Sequence, residues 1–274
     1  VLDYGLYAIA LSRFSGAWVG MKMVTDVCDG GGTAVVDPDT PGIQIPGGYQ
    51  KLTDVRLVPP ISLALENEVN VRRLGAALSF AALNGVNRWR GAKNARVGLL
   101  SAGKAYYDMM QALRDLGVRE TDFDSMGIRV GKVAMPFPLE PEFVRGFSEG
   151  LEKIFVVEEK RSFLELQLRE ILYDAPHRPV VLGKSHLPPL GELNPDQIAQ
   201  AASRILGIPV PPPRQRTLAA PQSRPADFTA PPRPAAFCSG CPHNRSTLLL
   251  EGQIAGGGIG CHTMAMRLMD PSRS

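Results

Sequence analysis

Three of the chain's four cysteines fall within 24 residues, in Phe237-Cys238-Ser239-Gly240-Cys241-Pro242-His243-Asn244 and in Gly256-Gly257-Gly258-Ile259-Gly260-Cys261-His262. The spacing is C-x2-C-x19-C. Two thiolates two residues apart can grip one metal centre, and a third can return to it after a glycine-rich loop. Such clustering, in a chain otherwise almost free of cysteine, points to an iron–sulfur or zinc site rather than to a disulfide.

Other chemistries for this segment meet specific obstacles. A thioredoxin-type C-x-x-C should follow a strand inside a βαβ unit, whereas this one follows a proline-rich stretch. A c-type haem needs C-x-x-C-H, and Pro242 stands where the histidine belongs. Zinc stays open, because His243 or His262 could complete a tetrahedron with the three cysteines. Against it, only one paired knuckle is present. The glycines spell neither a complete G-x-G-x-x-G nor a G-x-x-x-x-G-K-[ST]. Their better use is to let backbone N–H groups come close to a cluster or to phosphate oxygens.

The elements that must position this segment lie upstream. Residues 5–27 show helix-like apolar spacing, with Gly16, Trp18 and Gly20 read as a tightly packed surface and Asp29-Gly30-Gly31-Gly32 as the stop. Residues 33–58 form a Pro/Gly-rich connector, and 63–82 a helix running into Asn84-Gly85. From Arg96 strands and helices alternate. Strands are expected at 96–101, 128–134, 153–157 and 179–183, with helices near 104–116, 141–151, 161–173 and from Asn194-Pro195 to Leu206. Alternation of this kind makes an α/β domain with a parallel or mostly parallel sheet and helices on both faces. Residues 209–234 then break the rhythm: nine of the 26 are proline, arginine is the main charge and Asp227 is the only acid. That composition makes a semi-rigid tether.

Composition bounds the function classes. With 274 residues, 44% hydrophobic and 21% charged, the chain is an ordinary globular length for one large or two moderate domains. A net charge of +3 is too small, and the basic residues too scattered, for nucleic acid to be a partner. Arg13 and Lys22 interrupt the apolar N-terminal segment, so neither a leader nor a membrane span is expected. Clustered free thiols fit a reducing, cytoplasmic setting.

Secondary candidates have plainer readings beside them. Glu158-Glu159-Lys160-Arg161 closes a strand at the sheet edge where ligands often bind, and equally fits a solvated charge run at a helix start. Gly103-Lys104 can meet an anion such as a coenzyme A phosphate at a helix N-terminus, or be an ordinary βα turn. His177 and His186 read as surface loop residues, and Cys28 as a small buried side chain.

The cysteine segment resembles the start of the thiamine-diphosphate-binding domain of indolepyruvate:ferredoxin oxidoreductases, in the 2-oxoacid:ferredoxin oxidoreductase superfamily. The likeness is closest to the large fused bacterial form. Asp3-Tyr4-Gly5-Leu6-Tyr7 and Leu11-Ser12-Arg13-Phe14-Ser15-Gly16 look like the end of a pyrimidine-binding domain. Gly103-Lys104-Ala105-Tyr106, Pro138-Leu139-Glu140-Pro141 and Val156-Val157-Glu158-Glu159-Lys160 look like a transketolase C-terminal-like domain.

The resemblance implies an internal fragment: the end of a pyrimidine-binding domain at 1–36, a connector with a helix at 37–95, a transketolase C-terminal-like α/β domain at 96–208, a linker at 209–234 and the start of the diphosphate-binding domain at 235–274. It implies a [4Fe–4S] cluster on Cys238, Cys241 and Cys261, with a fourth ligand beyond Ser274. Thiamine diphosphate and Mg2+ would lie beside it, with His243, Asn244, Gly258, Gly260 and His262 on the cofactor side. The implied reaction is oxidative decarboxylation of an aryl 2-oxo acid to an acyl-CoA, with electrons leaving to ferredoxin and the full-length protein a homo-oligomer. The Gly-Asp-Gly that opens the family's diphosphate motif is absent, so this segment alone is expected to be inactive. A zinc-stabilised interaction module tethered to an α/β scaffold is the alternative.

Overall fold

The computed structural model describes residues 1–37, 41–53, 56–211, 236–256 and 258–265. The chain divides into two units, residues 1–214 and 215–274. Most of the expected tether lies outside the described residues.

The first unit opens with helix α1, Leu2–Ser15. The expected continuation to Val27 does not occur. Gly16 turns left-handed at φ 73°, its N–H reaches Ser12 O, and the Ser15 hydroxyl donates back to Leu11 O at 2.8 Å. Glycine at this position is a stop signal that the apolar periodicity beyond it does not overcome. Only a single helical turn, Thr25–Cys28, follows. Trp18, expected to pack, is fully exposed. Cys28, expected to be buried, is exposed on that lone turn, which has no buried residue.

Helices α2 (Ile61–Asn67) and α3 (Arg73–Asn84) run on through a π-helical turn at Glu68–Arg72 and stop at Gly85, again left-handed. Leu11 of α1 packs with Ala77 and Phe80 of α3. A buried carboxylate ties the join. Glu68 accepts from the Tyr49 hydroxyl at 2.6 Å, Leu52 N–H at 3.0 Å and Arg72 at 2.8 Å. Tyr49 also reaches Ser15 O, and Arg73 reaches Gly16 O.

The α/β layer contains strands β1 (Arg88–Gly91), β2 (Val97–Ala102), β3 (Ile128–Val133), β4 (Lys153–Val157) and β5 (Val180–Leu182). Helices α4 (Gly103–Asp115), α5 (Pro141–Ser148), α6 (Leu164–Leu172) and α7 (Pro195–Leu206) cover it. The sheet order is β1-β3-β2-β4-β5, parallel except for β1, which runs antiparallel to β3. The four expected strands are all present; β1 is additional. Its sequence, Arg-Trp-Arg-Gly, has no apolar alternation, and its burial pattern is almost wholly exposed. It is a strand because β3 offers it a ladder.

Successive residues of the central strands serve opposite faces. Leu99, Val130 and Phe155 join Met109 and Leu113 of α4 and Ile198 and Ala202 of α7. Leu100, Val133 and Val156 join Phe143 and Phe147 of α5 and Leu164 and Leu168 of α6. Burial on both faces explains why these strands read as continuous apolar runs. Among the described residues no helix is long and apolar enough to cross a membrane.

Candidate functional site

The cysteine segment lies in the second unit. Cys238 and Cys241 bracket a tight turn: Cys241 N–H donates to Cys238 O at 3.0 Å, and Gly240 sits at φ 76°. A side chain at Gly240 would be strained there. Pro242 follows and opens a short turn of helix, His243–Ser246. Asn244 donates from Nδ2 to Cys238 O at 3.2 Å, so its amide braces the cysteine turn. The third cysteine begins a 3-10 turn, Cys261–Met264. Thr263 closes the loop before it: its Oγ1 accepts from Gly260 N–H at 3.1 Å and donates to Gly258 O at 2.9 Å. Sequence reading missed Thr263; the only signal it offered is the general ability of a threonine hydroxyl to bond nearby backbone groups.

The two pieces meet through histidine. The rings of His243 and His262 lie edge to face with centroids 6.0 Å apart, and Phe237 covers His243 at 5.6 Å. His243 Nδ1 also lies 3.3 Å from Ser246 Oγ. All three thiols are free; Cys238 and Cys261 are exposed and Cys241 is half-buried. Among the described residues no three His, Cys, Asp or Glu side chains converge closely enough to hold a metal ion. The donor chemistry nevertheless suits a soft metal centre: two thiols presented by one glycine-hinged turn, and a third on a neighbouring loop rich in free backbone.

A second location is the C-terminal edge of the sheet in the first unit. The chain leaves β2 for β3 on one side and leaves β4 for β5 on the other, so the order reverses between β2 and β4. Ligands of open α/β sheets bind outside the strand ends at such a reversal. There the Ser101 hydroxyl donates to Val157 O at 2.6 Å and closes the seam. Gly103 starts α4 at φ 57°, and Lys104 follows. The Lys104 ammonium lies 3.1 Å from Asp108, 3.2 Å from Asp26 and 3.5 Å from Glu192. Burial alone would lower its pKa; the carboxylates outweigh burial and hold it above the ordinary lysine value. Its charge is therefore met inside the protein.

The acidic run after β4 is not a solvated face. Glu158 is buried and accepts from the N–H groups of Phe163, Leu164 and Glu165 at 2.9, 2.8 and 3.1 Å. It caps α6, using the orphan donors of a helix start. Glu159 accepts from Leu193 N–H at 3.1 Å. Lys160 takes a left-handed conformation, φ 60°. Lys184 donates to the Glu158 carbonyl. Burial holds the Lys184 amine below its ordinary pKa despite the nearby glutamates.

Fold and site together define a doubly wound α/β domain in a chain that also carries a separate cysteine segment. Residues 87–208 match the model of the indolepyruvate oxidoreductase domain. The chain is 28% identical over 182 residues to the indolepyruvate oxidoreductase subunit IorA of Thermococcus kodakarensis, covering 64% of this chain and 27% of that protein. It is 26% identical over 281 residues to the IorA subunit of Methanothermobacter thermautotrophicus, covering 97% of this chain and 42% of that protein. The chain thus spans about a quarter to two fifths of the length of these relatives. A solved 2-oxoglutarate:ferredoxin oxidoreductase from Magnetococcus marinus, with 2-oxoglutarate, coenzyme A and succinyl-CoA bound, is also similar. Its TM-score is 0.37 at 14% identity, over 62% of this chain and 28% of that one.

Proposed function

We propose that the chain is part of a thiamine-diphosphate-dependent 2-oxoacid:ferredoxin oxidoreductase acting on an aryl 2-oxo acid of the indolepyruvate kind. In this reading residues 96–208 form its transketolase C-terminal-like domain, and 235–274 open its diphosphate-binding domain. The observation that carries the proposal is the cysteine turn itself: Cys238 and Cys241 on one hinged turn, with the Cys261 loop brought beside it by the His243–His262 contact. Similarity to an indolepyruvate oxidoreductase subunit over 97% of the chain supports the same reading.

Cys238, Cys241 and Cys261 would hold three corners of a [4Fe–4S] cluster. Bound thiamine diphosphate, with Mg2+, supplies the carbon nucleophile, and the cluster supplies one-electron transfer to ferredoxin. The chain's own residues then have simpler tasks. Asn244 braces the turn, Thr263 fixes the third loop, and Phe237 keeps water from the His243 ring. His243 and His262 would donate hydrogen bonds to sulfur or to a diphosphate. The Gly258 N–H can approach the same group closely, whereas the Gly260 N–H is already donated to Thr263 Oγ1. Donors of this kind, together with burial, set a cluster's potential.

The test is anaerobic reconstitution of the complete polypeptide with iron and sulfide. Each single Cys→Ser variant at 238, 241 and 261 should lose most of the broad visible absorption and the electron transfer from an aryl 2-oxo acid to a one-electron acceptor. If all three variants keep iron, sulfide and electron transfer, the proposal fails. Zinc alone, with no visible chromophore under anaerobic conditions, would instead support a zinc-stabilised interaction module.

A further inference from the structure

The sheet face beneath α7 is incompletely covered. Between the starts of β4 and β5 and the last turn of α7 lies a cavity of about 510 Å3. Val180, Leu182 and Ile205 give it an apolar lining, and Lys153, His186 and Arg204 supply its polar groups. The inner residues of α7 in this layer are Ile198 and three alanines, Ala199, Ala201 and Ala202. Small side chains let α7 sit close to the layer beneath it.

The charge pattern is one-sided. Among the described residues no carboxylate lines the cavity. Among the described residues neither Lys153 nor Arg204 has a carboxylate within salt-bridge distance. Glu152, next in sequence to Lys153, is engaged by Arg96 at 2.7 and 3.0 Å. Elsewhere in this unit Lys104 and Arg169 are matched by acids. His186 lies edge-on to Phe155, and its Nδ1 is 2.8 Å from Ser185 Oγ. Nε2 is thus the remaining polar atom of that ring.

We infer that this groove binds an organic anion with an apolar body. The acidic head meets Lys153 and Arg204, and the body lies on Val180, Leu182 and Ile205. The cavity is the size of small-molecule sites, about 300–1,000 Å3. Two cations without a directly bonded carboxylate, beside apolar surface, favour such a ligand, because the body gains by leaving water while the head gains a partner. The inference stands apart from the cysteine segment and does not depend on it.

The test uses the complete polypeptide and anilinonaphthalene sulfonate as the probe, with fluorescence for affinity and methyl NMR of Val180, Leu182 and Ile205 for location. Saturable binding that moves those methyl signals is expected. The Lys153→Gln/Arg204→Gln double variant should bind at least tenfold more weakly with an unchanged thermal midpoint. Both residues are exposed, and Arg204→Glu alone, as a second variant, should weaken binding further than Arg204→Gln. The uncharged anilinonaphthalene should bind at least tenfold more weakly than the sulfonate. Unmoved methyl signals at saturation, no binding by the wild type, or equal affinity in the charge variants would overturn the inference.

Discussion

Arg129 is 2% exposed and, among the described residues, has no carboxylate on its fork. Its guanidinium instead donates to Phe147 O at 2.7 Å, Glu149 O at 2.9 Å and Ala92 O at 3.1 and 3.2 Å, and also to Lys93 O. The Trp89 ring lies 4.7 Å away. One charge thus satisfies carbonyls from the end of α5 and from the loop after β1. Arg129→Met should cost about 3–5 kcal/mol, since it strands several acceptors. A urea melt followed by Trp89 fluorescence would measure it, and Arg129→Lys should recover only part, lacking the planar fork. Glu158 makes a related case. Its carboxylate takes three N–H groups of the α6 start, so Glu158→Ala should cost about 1–2 kcal/mol by thermal unfolding, and Glu158→Gln less. Neither role was legible in sequence. Arg129 lies in a strand pattern where a charge looks like a solvent-facing break. Glu158 lies in a charge run, and only the folded turn shows where its carboxylate points.

The elements were read best where local chemistry decides them. For α7 the start is Asn194, whose side chain accepts from Gln197 N–H while Gln197 returns the bond, with Pro195 in the first turn and Gly207 left-handed at the end. Such a helix carries its own boundaries. By contrast α1 was read too long, since periodicity weighed more than Gly16. Docking of α5 shows what tertiary contact adds. Added Cβ atoms at Gly98 on β2 and Gly131 on β3 would come within 2.9 and 3.0 Å of the Phe147 ring, and within 2.5 Å of Leu151 and Leu100. The two glycines make the hollow that Phe147 fills. Gly98→Ala and Gly131→Ala should each cost about 1–3 kcal/mol through overpacking, measured by denaturant midpoint. The free edge at β5 is guarded by a side chain. Arg169 donates to Val181 O at 2.7 Å while paired with Glu165, so an incoming strand meets a blocked acceptor.

At the scale of the molecule, the Glu68 knot joins α1, the segment around Tyr49–Leu52 and the α2–α3 helical run. Burial alone would raise its pKa, but the Tyr49 hydroxyl, the Leu52 N–H, Arg72 and Arg73 outweigh burial and hold the carboxyl below its ordinary value of 4.5. A depressed folded-state pKa means that the unfolded chain binds the proton more tightly. The knot's contribution is therefore complete above about pH 4.5 and is lost as pH falls through the lower folded value. Protection of α1 amides, measured as exchange relative to the intrinsic rate at each pH, should fall over that window. Glu68→Gln should cost about 1–3 kcal/mol at neutral pH and flatten the acid response. A variant whose acid response matched the wild type would remove Glu68 as the cause.

What the sequence determined by itself is what near neighbours along the chain control: the four parallel strands, the helix stops at Gly85 and Gly207, the capping of α7, and the C-x2-C turn. Each depends on periodicity, propensity or a hydrogen bond spanning a few residues. The tertiary structure alone decided the antiparallel β1, the burial of Arg129 and Glu68, the neutralisation of Lys104 by Asp26 and Glu192, and the open groove under α7. These depend on groups far apart in sequence meeting in space, and composition and spacing carry no term for that distance. The cysteine segment belongs to both. Its turn is local, while the meeting of His243 with His262 across the glycine-rich loop is a property of the fold.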